Sequence, residues 1–141
     1  MGTDMTTLKV GLELPELRID GVSVEKMKLF TALIRDPNPI HVDADAVRRL
    51  GLGDREINPG PVSLAYLMNM LGAWAGGVDR IKSMAVRFGA NVVAGDDVVA
   101  RGKVVNLSEE GGVTLAECEV RLDILPDDRP AMTGTATLEL R

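Results

Sequence analysis

Pro61-Val62-Ser63-Leu64-Ala65-Tyr66-Leu67-Met68-Asn69-Met70-Leu71-Gly72-Ala73-Trp74-Ala75 is the most apolar run of the chain, and its reading settles the architecture. Proline is favoured at a first helical position. Gly76-Gly77 supplies a stop. Between them Val62, Leu64, Ala65, Leu67, Met68, Met70, Leu71, Ala73 and Trp74 cover nearly every side of a helix. A helix that is apolar all round has to be buried, so something must wrap it.

The wrapping material follows at once. Segments 81–89, 97–107, 113–124 and 131–140 read as an antiparallel meander. Ala116, Cys118, Val120, Leu122 and Ile124 alternate with Glu117, Glu119, Arg121 and Asp123, which read as a solvated or partner-facing surface. Met132, Gly134, Ala136, Leu138 and Leu140 repeat the alternation against Thr133, Thr135 and Thr137. Turns are expected at 109–112 and 126–128. Several inward positions are small (Ala100, Gly102, Ala116, Gly134, Ala136), which lets a sheet approach and curl around a thick object. One long buried helix inside a curved antiparallel sheet is the α+β hot-dog architecture.

Upstream, 9–19 reads as a lead-in strand interrupted by Pro15. Ser23 is a candidate N-cap for a helix with Val24, Met27, Phe30 and Leu33/Ile34 at helical spacing, stopped by Pro37. Asp43 and Asp45 open a short second helix that ends at Gly51, and 51–60 is a loop. With 141 residues, no repeat and no linker, the expectation is one domain over 1–141.

Composition narrows the function. The chain is 45% hydrophobic but only 3% aromatic, so its core rests on Val, Leu, Ala and Met. A net charge of −5 argues against nucleic acid or an anionic membrane as partner. Cys118 is the only cysteine and His41 the only histidine, too few for a structural zinc site or an internal disulfide. No stretch reads as a membrane span, and 1–8 lacks a signal-peptide pattern, so a reducing, cytoplasmic setting is expected.

The sole histidine sits in Asp36-Pro37-Asn38-Pro39-Ile40-His41. Two prolines deny the segment a helix and push Asp36 and Asn38 toward extended geometry. A stiff loop then holds a carboxylate and an imidazole in a fixed relation, a pair suited to moving protons near neutral pH.

That loop, with the hot-dog order, resembles the MaoC-like dehydratases, which include the (R)-specific enoyl-CoA hydratases. Gly60 at the helix mouth, Phe88 and Gly95-Asp96 extend the match. Arg35-Asp36, Trp74-Ala75-Gly76 and Ile81-Lys82-Ser83 are similar to small single-hot-dog subunits of steroid side-chain breakdown, which pair with a second hot-dog chain. The resemblance implies hydration of a trans-2-enoyl-CoA or the reverse dehydration. Asp36 and His41 would grip one water, and the Gly60 amide would face the thioester oxygen, unless Gly60 only relieves a tight turn. Asn38, Tyr66, Met68, Trp74 and Arg87 are the candidate substrate-binding residues. No metal or redox cofactor is implied, since coenzyme A belongs to the substrate, and the partner is an identical or related hot-dog subunit. Pro61 departs from the family and contributes no N–H, and Arg35 is a second departure, positioned to pair with Asp36.

Two other readings compete. A hot-dog thioesterase usually carries its carboxylate on the central helix, and 61–75 has no Asp or Glu. A non-catalytic acyl-CoA-binding subunit would not need the intact Asp/His pair.

Overall fold

The computed structural model describes residues 2–141; Met1, where the expected domain begins, lies outside the described residues. The chain runs β1 (Leu17–Ile19), α1 (Val24–Ile34), a 3-10 turn (Pro39–His41), α2 (Ala44–Arg49) and α3 (Gly60–Ala75). A second 3-10 turn (Val78–Arg80) leads into β2 (Ile81–Phe88), β3 (Val98–Glu110), β4 (Val113–Ile124) and β5 (Arg129–Leu140). All pairings are antiparallel, in one five-stranded sheet of order β1-β3-β4-β5-β2. This is the hot-dog fold of the α+β class.

The sheet wraps α3 as the apolar run requires. Leu67, Met70, Leu71 and Trp74 of α3 share one core with Ala100, Val104, Ala116, Cys118, Leu122 and Leu138 of the sheet. Small residues set the approach distance. A Cβ on Gly102 would stand 3.1 Å from the Leu14 side chain and 3.4 Å from Met70. Gly111 and Gly112 close the β3–β4 hairpin with φ of 59° and 78°, the left-handed pair that a two-residue turn of this hand demands. The lead-in segment also reaches β3, through the Leu14 N–H to Gly102 O bond of 2.9 Å. Past Pro15 it becomes the short β1.

Three expectations need correction. The four long strands are not one meander. β3, β4 and β5 are consecutive neighbours, but β2 crosses to the far edge and pairs with β5 (Met84 opposite Ala136). Sequence alternation reports which face a residue takes and not which strand lies next to it.

The second concerns α1, which buries Met27 and Thr31 but leaves Leu33 at 73% exposure and Ile34 at 47%. At 3.6 residues per turn Leu33 lies about 120° around the helix from Met27 and about 160° from Thr31, away from the buried stripe. The helix also ends at Ile34, before Pro37.

The third is Asp123, which is fully buried rather than on a solvated face. Arg101 reaches its carboxylate at 2.8 Å and Arg121 at 2.7 Å, beside a register shift at Leu122/Asp123. A charge removed from water persists only when paired in this way.

Two outcomes follow from this packing. An ideal Cβ on Gly134 would lie 2.1 Å from the Ala85 carbonyl oxygen, so Gly134→Ala has to push β2 off β5. A urea denaturation series should show a loss of about 1–3 kcal/mol or more. Burial pushes the Cys118 thiol up to about 12. The native thiol should therefore resist iodoacetamide at pH 8 and react only after denaturation. Its raised value also means that stability falls as pH rises above the unfolded thiol's range of about 8.5.

Candidate active site

The site starts where α1 stops. Arg35 is left-handed (φ 55°, ψ 41°), its N–H donates to Ala32 O, and the Asp36 N–H donates to Thr31 O at 2.9 Å. This paired closure satisfies the last carbonyls and turns the chain sharply. Asp36 Oδ1 then accepts the Asn38 N–H at 2.9 Å, and the Asn38 side chain accepts the Ile40 N–H at 3.3 Å. Asn38 thus caps a 3-10 turn that begins at Pro39. The prolines exclude a longer helix but not this turn, because a first-turn proline lacks an amide that the turn does not use.

The turn delivers His41 to a buried position, 8% exposed. Its Nδ1 lies 2.7 Å from Ile57 O. A carbonyl only accepts, so Nδ1 carries the proton and Nε2 keeps its lone pair. Nε2 lies 3.5 Å from Asp36 Oδ2, longer than a direct hydrogen bond and close enough for both to hold one small polar molecule. Each residue thus anchors through one atom and turns the other toward its partner.

Ile57 and Asn58 strap this corner to α3. The Ile57 N–H donates to Ile40 O at 2.9 Å and the Asn58 N–H to Val92 O at 2.8 Å. Pro59 and Gly60 follow. In the first turn of α3, Pro61 has no amide proton, while the Val62 and Ser63 amides both donate to Pro59 O. Gly60 is the first-turn amide left without an acceptor among the described residues, at the positive end of a 16-residue helix. The Phe88 ring covers it so closely that a Cβ on Gly60 would be 3.1 Å from Cε1. A cavity of about 220 Å³ joins His41, Ile57, Asn58, Gly60, Ser63 and Phe88. A larger groove of about 680 Å³ lies elsewhere, among Glu13, Arg101, Lys103, Glu119 and Arg121 on the charged side of the sheet.

Residues 10–123 match the family model described as the MaoC like domain. The chain belongs to this family. Among solved structures it is similar to the (R)-hydratase from A. caviae involved in PHA biosynthesis, at 25% identity and TM-score 0.83, covering 96% of this chain and 98% of that one. It is also similar to R-hydratase PhaJ1 from Pseudomonas aeruginosa (21% identity, TM-score 0.80, covering 96% and 83%). A third likeness is to the ChsH1-ChsH2 complex from Mycobacterium tuberculosis (24% identity, TM-score 0.78, covering 94% and 98%). The last two carry likeness of fold alone. No curated protein matches the sequence.

The remaining sequence candidates of this MaoC-like chain fall in different places. Asp36 and Asn38 are joined to each other and Asp36 to His41, and His41 shares its cavity with Gly60, while Asp36 and Asn38 are not among the residues lining that cavity. Tyr66 is half-buried and does not line the cavity; burial pushes its phenol up while a hydrogen bond from the Asn58 side chain pulls the other way. Met68 is half-buried outside that cavity, and Trp74 belongs to the core at the far end of α3. Arg87 pairs with Thr133 in register and alternates with Val86 and Phe88, so it projects to the side of the sheet away from His41. Arg35 makes no ion pair with Asp36 among the described residues. Among those residues there is also no group of three or more potential metal ligands, and no helix long and apolar enough to cross a membrane.

Sequence reasoning passed over Asn58 and Ser63. Both are 5% exposed and hydrogen-bonded to each other at 2.9 Å. The available signal was two polar residues flanking Pro59-Gly60-Pro61 at the mouth of an otherwise apolar helix.

Arg35 pays the left-handed penalty that glycine avoids. Arg35→Gly should raise unfolding stability by about 0.5–1 kcal/mol in a denaturant titration. A fall in stability would mean that the Arg35 side chain makes a contact worth more than the strain.

Proposed function

We propose that this chain hydrates a trans-2-enoyl-CoA to a 3-hydroxyacyl-CoA, or catalyses the reverse dehydration. The observation that carries the reading is the 3.5 Å approach of His41 Nε2 to Asp36 Oδ2, with His41 lining the same cavity as Gly60. Membership of the MaoC-like family and likeness to an (R)-hydratase support it.

The chemistry has three needs. A water must lose a proton as its oxygen attacks C3, a proton must reach C2, and the thioester oxygen must be stabilised as enolate charge develops. A water between Asp36 Oδ2 and His41 Nε2 gives up its proton to one of the two, and the pair returns a proton to C2. The water's remaining O–H becomes the 3-hydroxyl, so atoms balance with no other reactant. Acid/base help of this kind is worth about 10²–10⁴-fold. The Gly60 N–H stabilises the enolate oxygen.

Substrate and partner follow from size. The His41 cavity, about 220 Å³, is smaller than the roughly 300–1,000 Å³ of a usual ligand pocket. An acyl chain, above all a steroid side chain as the Arg35-Asp36 and Trp74-Ala75-Gly76 likeness suggests, needs a second wall. β2 is an edge strand with one side unpaired, and Phe88 at its end is 57% exposed beside the cavity. An unpaired edge favours association. The reading is therefore a hot-dog dimer, of identical chains or of this chain with a related one, in which this subunit brings the Asp36/His41 pair. The two-chain ChsH1-ChsH2 relative supports the second form.

Purified chain, alone and mixed with candidate hot-dog partners, should remove the enoyl absorbance of crotonyl-CoA or a steroid enoyl-CoA. His41→Ala and Asp36→Asn should each cut turnover by at least about 10²-fold with thermal melting unchanged. Wild-type turnover in either variant would contradict the mechanism. Release of free CoA would replace the reading with a thioesterase, and tight acyl-CoA binding without turnover in any mixture with a binding subunit.

A further inference from the structure

The polar pair beside His41 has a use that the acid/base chemistry leaves open. Asn58 and Ser63 are each 95% buried (5% exposed) and line the same cavity as His41 and Gly60. Asn58 Nδ2 donates to Ser63 Oγ at 2.9 Å and the same side chain reaches the Tyr66 phenol, while Asn58 Oδ1 has no hydrogen-bond partner among the described residues. A buried unpaired acceptor costs about 1–3 kcal/mol, so this pair is poorly explained as internal structure.

The serine points to what it serves. A hydroxyl has one donor and two acceptor positions. With Asn58 occupying an acceptor position, the Ser63 proton is turned away from Asn58, and no acceptor for it occurs among the described residues. Ser63 lies three residues after Gly60, on the same face of α3. Helical side chains lean toward the N-terminus, which carries the Ser63 hydroxyl toward the Gly60 amide. Pro61 has removed one amide from this mouth, and Val62 and Ser63 have spent theirs on Pro59 O. The mouth then holds two unspent donors on one cavity and no anion to receive them.

We propose that the Ser63 hydroxyl, oriented by Asn58, joins the Gly60 N–H in holding the thioester oxygen of the substrate. Ser63 touches substrate; Asn58 is a positioning residue that acts through it. The second donor makes good the amide lost at Pro61. This rests on the hydratase reading above. With the Asn58 amide turned over, Ser63 would give its proton to Oδ1 and the mouth would keep Gly60 alone, an alternative that the following comparison decides.

The test uses the full chain in the assembly that turns over crotonyl-CoA, with two unreactive ligands: butyryl-CoA, and S-butyl-CoA, a thioether without the carbonyl oxygen. Ser63→Ala should weaken butyryl-CoA about tenfold and leave the thioether unchanged. It should lower kcat on crotonyl-CoA roughly 10²-fold with the shape of the pH profile unmoved. Asn58→Ala should give a smaller loss of the same kind, and Ser63→Thr, which keeps the hydroxyl, should recover most of the carbonyl preference. Equal losses on both ligands, or an unchanged kcat, would overturn the Ser63 assignment while crotonyl-CoA turnover by the wild type leaves the hydratase reading standing. Absence of hydration by the wild type in every assembly would remove both.

Discussion

The bond from His41 Nδ1 to Ile57 O, 2.7 Å long, is the joint on which the site depends. It fixes the tautomer of the only imidazole in the chain. It also ties the loop that ends α1 to the strap that begins α3. Without it, the ring would be free to present either nitrogen, and the Asp36 loop would have no fixed relation to the Gly60 amide. The surrounding backbone bonds, from Ile57 to Ile40 and from Asn58 to Val92, hold the carbonyl in place. Fixed orientation of this kind is what the proposed acid/base pair requires.

The joint in turn needs a rigid floor, and α3 supplies it. Leu67 and Leu71 have no exposed surface, and Gly102 lets the sheet close on the helix at contact distance. Dense packing resists small displacements, so the mouth of α3 is a fixed place for a partial positive charge. The candidate residues sit on loops, the usual location of functional groups, and backbone hydrogen bonds tie those loops to one another and to the elements that flank them.

Much of this was legible in the sequence. The apolar run at 61–75, the alternating strands after it and the Ser23 cap each follow a local rule, and each was found where expected. Local rules did not reveal that β2 crosses to pair with β5, because strand order is a non-local property. They did not reveal the burial of Asp123, which depends on two arginines reaching it from β3 and β4. At the site, the spacing of Asp36 and His41 was readable because prolines stiffen the loop. The Asn58–Ser63 pair was not, since polar residues beside a proline also serve as ordinary caps and turns. Arg87 faced the wrong way for a similar reason: a basic residue is visible in a sequence, but its side of a strand is set by register.

Since His41 is the only histidine, its ring nitrogens give isolated signals in a long-range proton–nitrogen correlation spectrum of the untagged, labelled protein. With the imidazole neutral, Nδ1 should show the shift of a protonated nitrogen and Nε2 that of one with a free lone pair, and one slow tautomer should persist through the range where the ring is uncharged. An Nε2–H tautomer, or averaged shifts from a ring that exchanges between the two forms, would contradict the proposal that Nε2 and Asp36 hold the reacting water.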